Sequence, residues 1–109
     1  MKHMTGEERE ALLINLLQEA MSGTRNQGSL LSTLRKEVTG MNQEQYAARV
    51  GISRRTLSDI ERDTGSPTIA VINRVFKPFG LKLGLLPRNQ ALLKRLVREE
   101  ADALNRTSQ

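Results

Sequence analysis

Between Gln43 and Glu61 the chain reads QEQYAARVGISRRTLSDIE, and no other stretch restricts the fold so tightly. Apolar side chains at helical spacing on either side of a lone glycine describe two short helices joined by a three-residue turn. Asn42 is placed to cap the first, Gln43 to Val50, and Ser53 the second, which runs to about Arg62. Ala47 is small where the helices approach most closely. Gly51 takes the turn at positive φ, where a Cβ would be strained. Val50, Ile52, Leu57 and Ile60 face inward and fix the crossing angle. The Ser53 cap leaves the electropositive end of the second helix exposed, ready to meet phosphate or base edges.

The flanks supply further helices. Thr5 and Glu8 fit a capping box that opens a helix from about Gly6 to Met21, with Leu12, Leu13, Leu16, Leu17 and Ala20 at helical spacing. Ser22–Ser29 is polar, holds two glycines and reads as a flexible linker. Leu30, Leu31, Leu34 and Val38 write the next helix, stopped by Gly40. Beyond the central pair, Thr68 caps a helix that buries Ile69, Ile72, Val75, Phe76 and Phe79. Pro78 frays or kinks its last turn and Gly80 ends it. Leu81–Leu86 alternates apolar and non-apolar residues for four positions, a strand pattern that Gly84 weakens. No other segment reads as a strand, so its expected partner is the same strand of a second subunit. A final amphipathic helix runs from Ala91 to about Leu104, with Leu92, Leu93, Leu96, Val97, Ala101 and Leu104 on one side. Its opening ALLKRLVREE shares five of ten positions with ALLINLLQEA of the first helix, which we read as convergence rather than repetition. Each has an apolar stripe to bury, against the other or across a dimer. Residues 1–4 read as a cloning remnant.

Charge and composition narrow the function. The chain carries +5 at neutral pH, and the excess is local: residues 1–28 hold −1, residues 29–88 hold +5 and residues 89–109 hold +1. A basic surface in the middle of the chain suits a polyanion. There is no cysteine, and the one histidine is His3. With no Gly-rich phosphate loop and no clustered carboxylates, nothing points to an enzyme, a metal site or a cofactor. No apolar run reaches the length of a membrane span and the first residues are acidic, so the expectation is a soluble cytoplasmic protein with no membrane partner.

Gln43, Ala47, Gly51, Ile52, Ser53 and Leu57, followed by Ser58, Ile60 and Glu61, resemble the Xre (Cro/C1-type) family of helix-turn-helix regulators. LLSTLRKEVTG before them and GSPTIAVINRVFKPFG after them agree in order, so the likeness covers roughly residues 30–86. It implies an all-α fold: a lambda-repressor-like helix-turn-helix domain over residues 29–86, including a short C-terminal strand for dimerisation. Residues 1–28 add a helical extension and linker, and residues 87–109 a C-terminal helix. LKLGLLPR in place of a fifth short helix resembles the HipB-type antitoxins, in which a terminal strand pairs between subunits. Two departures stand out. Tyr46 replaces the usual Leu, either filling the core differently or placing a hydroxyl near the DNA backbone. The loop before Asn42 is one residue longer, which makes Arg35 the best match for the family's arginine that pairs with Glu61, with Lys36 its competitor.

The resemblance also assigns roles. The second helix of the motif enters the major groove, making Arg54, Arg55, Thr56, Ser58 and Asp59 the base-contacting candidates. An arginine can bind guanine O6 and N7 in two-pronged fashion, worth about 1–3 kcal/mol of discrimination. Neighbours on a helix point about 100° apart, so one of the two arginines can read a base while the other grips phosphate. Asp59 can accept from cytosine N4, repel wrong registers or, the reading we favour, orient Arg55 one turn back. Asn42, Gln43 and Ser53 are phosphate candidates, joined by Arg62 and Thr68, whose roles can equally be structural. A homodimer through Leu81, Leu83, Leu85, Leu92 and Leu96 would set two recognition helices about 34 Å apart on a palindromic double-stranded DNA operator. The expected function is a repressor of its own promoter. The alternative is an antitoxin that also neutralises a toxin protein.

Overall fold

The computed structural model describes residues 4–107. Of the cloning remnant read at residues 1–4, all but Met4 lies outside that range, as does His3. Among the described residues six α-helices follow one another: α1 (Gly6–Met21), α2 (Gln27–Leu34), α3 (Gln43–Val50), α4 (Arg54–Glu61), α5 (Ile69–Phe76) and α6 (Gln90–Thr107). α2 widens into a single π turn, Arg35–Thr39, and α5 tightens into a 3-10 turn, Lys77–Phe79. That tightening is how the chain accommodates Pro78, since a proline supplies no N–H to an α-helical ladder.

Local chemistry sets most boundaries. Glu8 donates its backbone N–H to the Thr5 hydroxyl at 3.0 Å and its carboxylate reaches back to the Thr5 N–H, completing the capping box of α1. Gly40 ends the π turn and Gly51 ends α3, with φ of 67° and 75°. Glycine takes this left-handed region without the steric cost a side chain would bring.

The core gathers Leu30, Leu31 and Leu34 from α2, Tyr46, Ala47 and Val50 from α3, Leu57 and Ile60 from α4, and Ile72, Val75, Phe76 and Phe79 from the α5 region. Leu16 of α1 joins them, with Leu12, Leu13, Leu17 and Ala20 packed at the edge. The first helix therefore covers the central domain, and its apolar stripe meets α2 and the core rather than chiefly α6. Tyr46 is fully buried; its ring stacks on Phe79 with centroids 5.9 Å apart. Its hydroxyl donates to the Val75 carbonyl at 2.7 Å, so this tyrosine fills the core and lies away from any DNA backbone. Burial, only partly opposed by the nearby Arg49 charge, pushes its pKa up to about 12, leaving the hydroxyl a donor under all ordinary conditions. Tyr46→Phe is expected to lower stability by about 1 kcal/mol, read as a shifted urea midpoint with DNA binding unchanged.

Four sequence expectations need correction. Residues 81–86 are extended but form no strand, and none is present among the described residues. A lone extended segment has no ladder within its own chain, and the Leu83 N–H donates instead to the Asn73 side chain at 2.8 Å. Leu81 folds back against the subunit's own core, which removes it from the exposed dimer candidates. The linker is shorter than the sequence suggests: α2 starts at Gln27, because Gly28 packs directly on the end of α4. Ile69, at the first position of α5, is 70% exposed, since the helix enters the core only one turn later.

α6 is attached at its beginning. Asn89 caps it by accepting from the Leu92 N–H at 3.0 Å, Gln90 donates to the Met21 carbonyl at 3.2 Å, and Leu93 is buried. Leu92, Leu96 and Val97 remain about half exposed, and Leu85 is fully so.

Candidate nucleic-acid interface

The site is built on α4 and on what holds it. At the turn, the Ile52 N–H donates to the Ala47 carbonyl at 3.0 Å while Gly51 reverses the chain. The Ser53 hydroxyl then accepts from the Thr56 N–H at 3.0 Å and donates to the Thr56 hydroxyl at 2.8 Å. Leu57 and Ile60 anchor the inner face of α4. Ser53, Arg54 and Arg55 are exposed at its N-terminal end, while Thr56, Ser58 and Asp59 are half-buried beside them. Neither Arg54 nor Arg55 makes an ion pair or side-chain hydrogen bond among the described residues. Two uncommitted guanidiniums at the positive end of a helix can donate to phosphate or to the O6/N7 edge of guanine.

The other end of α4 is fixed by a buried ion pair. Arg35 Nε donates to Glu61 Oε2 at 2.7 Å and its Nη2 to Oε1 at 2.9 Å, while Nη1 caps the Met41 carbonyl at 2.8 Å. Arg35, rather than Lys36, is therefore the partner. The two side chains are 6% and 5% exposed. Burial pushes the Glu61 carboxyl up, but the hydrogen bonds from Arg35 and Gln43 and the charges of Arg35 and Lys36 together hold it below its ordinary value. This two-pronged contact ties the π turn of α2 to the end of α4.

The phosphate candidates are only partly available. Gln43 donates its side-chain amide to Glu61 Oε1 at 3.0 Å, and its backbone N–H, in the first turn of α3, has no acceptor within the helix. The Asn42 oxygen accepts from the Gln45 N–H at 2.8 Å and the Gln45 side chain answers at 3.0 Å, so Asn42 retains its NH2 group. Thr68 caps α5 through the Val71 N–H at 3.1 Å. Arg62 lies just past α4 and pairs with Asp59 at 2.9 Å. Asp59 thus engages the arginine three residues ahead rather than Arg55 four behind. That pairing leaves Arg55 uncommitted and corrects the favoured sequence reading.

Sequence reasoning missed one positioning element. Asp63, the one non-glycine described residue at positive φ, directs its carboxylate to the Gly28 N–H at 2.9 Å. An acid next to a turn is visible in sequence, but a partner 35 residues away is not. Among the described residues no group of His, Cys, Asp and Glu could hold a metal ion, and no helix is long and apolar enough to cross a membrane.

A turn of this geometry, with a capped second helix presenting its N-terminal side chains, has a counterpart in known families: residues 33–86 match the model of the family described as Helix-turn-helix. Those residues are a helix-turn-helix domain. The domain suggests a DNA-binding transcriptional regulator. No curated protein and no solved structure matches the chain.

Proposed function

We propose that this helix-turn-helix protein is a homodimeric, sequence-specific repressor that binds a palindromic double-stranded DNA operator at its own promoter in the cytoplasm. The observation that carries the reading is the exposed, uncommitted pair Arg54 and Arg55 at the start of a helix whose other end is held by a buried ion pair. In this reading Arg54 and Arg55 supply the principal base contacts, with Thr56 and Ser58 beside them. The Gln43 N–H, the Asn42 amide and the Ser53 region grip phosphate. Arg62 and Asp59 reach the DNA only as a mutually bonded pair.

Dimerisation rests on the exposed apolar surface of Leu83, Leu85, Leu86, Leu92 and Leu96, which water disfavours and a second copy would cover. The face of α6 that is left open after its first turn also suits the second reading, an antitoxin that uses the helix to hold a toxin. Sedimentation equilibrium tests the dimer that both readings share, and a co-purifying toxin would favour the second. The repressor reading expects a dimer at micromolar concentration, and a monomer for Leu85→Asp/Leu96→Asp that binds a palindrome no better than a single half-site. A wild-type monomer that still binds the palindrome tightly would defeat the dimeric assignment.

A further inference from the structure

Away from Arg54 and Arg55, two shallow hollows adjoin on the face shared by α1, the π turn, α3 and the end of α5. One, about 320 Å³, is lined by the exposed Arg9 and Arg49 and by the half-buried Val38 and Met41. The other, about 460 Å³, is lined by Arg49, Val50, Arg74, Lys77 and Pro78. Arg49 and Pro78 line both, so the two hollows share a boundary and together make up a trough. Its four cations come from three separate helices and the following turn, and no acidic side chain lines either half. All four are exposed and none forms an ion pair among the described residues. Arg74 has only a long hydrogen bond, 3.4 Å, to the Gly51 carbonyl.

Like charges gathered without counter-charges repel one another, and a ligand of opposite sign relieves that repulsion. The apolar residues that line the trough beside the cations narrow the class of ligand. A duplex backbone offers phosphates and sugars, which would leave Val38, Met41 and Pro78 uncovered. A protein segment can place carboxylates on the cations and an apolar side chain on the apolar lining at once. We propose that the trough docks an acidic amphipathic protein segment, its carboxylates on Arg9, Arg49, Arg74 and Lys77 and an apolar anchor over Pro78. Neither Arg54 nor Arg55 lines the trough, so the segment and the operator occupy different residues. This surface is independent of the apolar faces invoked for dimerisation.

The test is fluorescence anisotropy on the full chain with a labelled peptide of about 15 residues, rich in Asp and Glu with Leu anchors one helical turn apart. Saturable binding is expected, weakened about tenfold or more by Arg49→Glu/Arg74→Glu/Lys77→Glu and unchanged by Arg54→Ala/Arg55→Ala. All three reversed positions are exposed, and circular dichroism would confirm that the variant keeps its helices. A peptide with Ser in place of Leu should bind more weakly. Equal binding of the two peptides, or of the peptide to wild type and triple variant, overturns the proposal. So does a triple variant that loses duplex affinity as far as peptide affinity, which would make the trough a DNA contact.

Discussion

Glu61→Ala is expected to cost about 3–5 kcal/mol of folding stability, the range for breaking one side of a buried pair. The loss follows from what remains. Arg35 would keep a guanidinium that is almost wholly enclosed, with two of its hydrogen bonds gone and only Met41 to meet it. Gln43 would lose its acceptor as well. The π turn, α3 and α4 would come apart at the point where all three meet. The same carboxylate makes the fold acid-sensitive. Because its folded pKa lies below the ordinary 4.5, its contribution is complete above that value and is lost as the pH falls through the lower folded value. Urea unfolding at a series of pH values should show this decline for wild type and a much flatter profile for Glu61→Gln, which cannot titrate. Equal slopes for the two proteins would remove Glu61 from the account of acid stability.

Gly28→Ala is expected to be nearly as severe, about 3 kcal/mol or more. An added Cβ would lie 2.6 Å from the Ile60 carbonyl oxygen and closer still to that of Glu61. Both are backbone atoms at the end of α4 and cannot swing aside, so α2 would have to move and pull its N–H from Asp63. Gly84→Ala is the control, since a Cβ there meets nothing within 4 Å, and its effect should stay within about 0.5 kcal/mol. Thermal melts of the two variants side by side would check the contrast. A mild Gly28→Ala would mean that α2 and α4 sit less closely than described.

The parts of this protein that could be read from its sequence are those governed by neighbours along the chain. Gly51 at the turn, Ser53 and Thr68 as caps and the inward set Val50, Leu57 and Ile60 follow from spacing and from what each residue can do locally. The parts that could not be read depend on contacts distant in sequence. Gly28 looks like linker chemistry until α4 is placed above it. Leu81–Leu86 alternates like a strand, yet pairing requires a partner that the described residues do not supply, and Asn73 and the core claim its first residues instead. Asp59 had two arginines within one helical turn, and spacing alone does not choose between them. In the site, the sequence could name Arg54 and Arg55 from their place on α4, but only the structure shows that Gln43 commits its side chain to Glu61.

The central claim, that Arg54 and Arg55 read operator DNA, is tested most directly by fluorescence anisotropy. A labelled duplex from upstream of the protein's own gene would be titrated at two salt concentrations, with wild type beside Arg54→Ala/Arg55→Ala. Both side chains are exposed and uncommitted, so the variant should keep its stability. The account predicts tight wild-type binding that weakens steeply with salt and is lost in the variant. Equal, weak binding by both proteins would contradict it, leaving only general electrostatic adhesion of a basic surface to DNA.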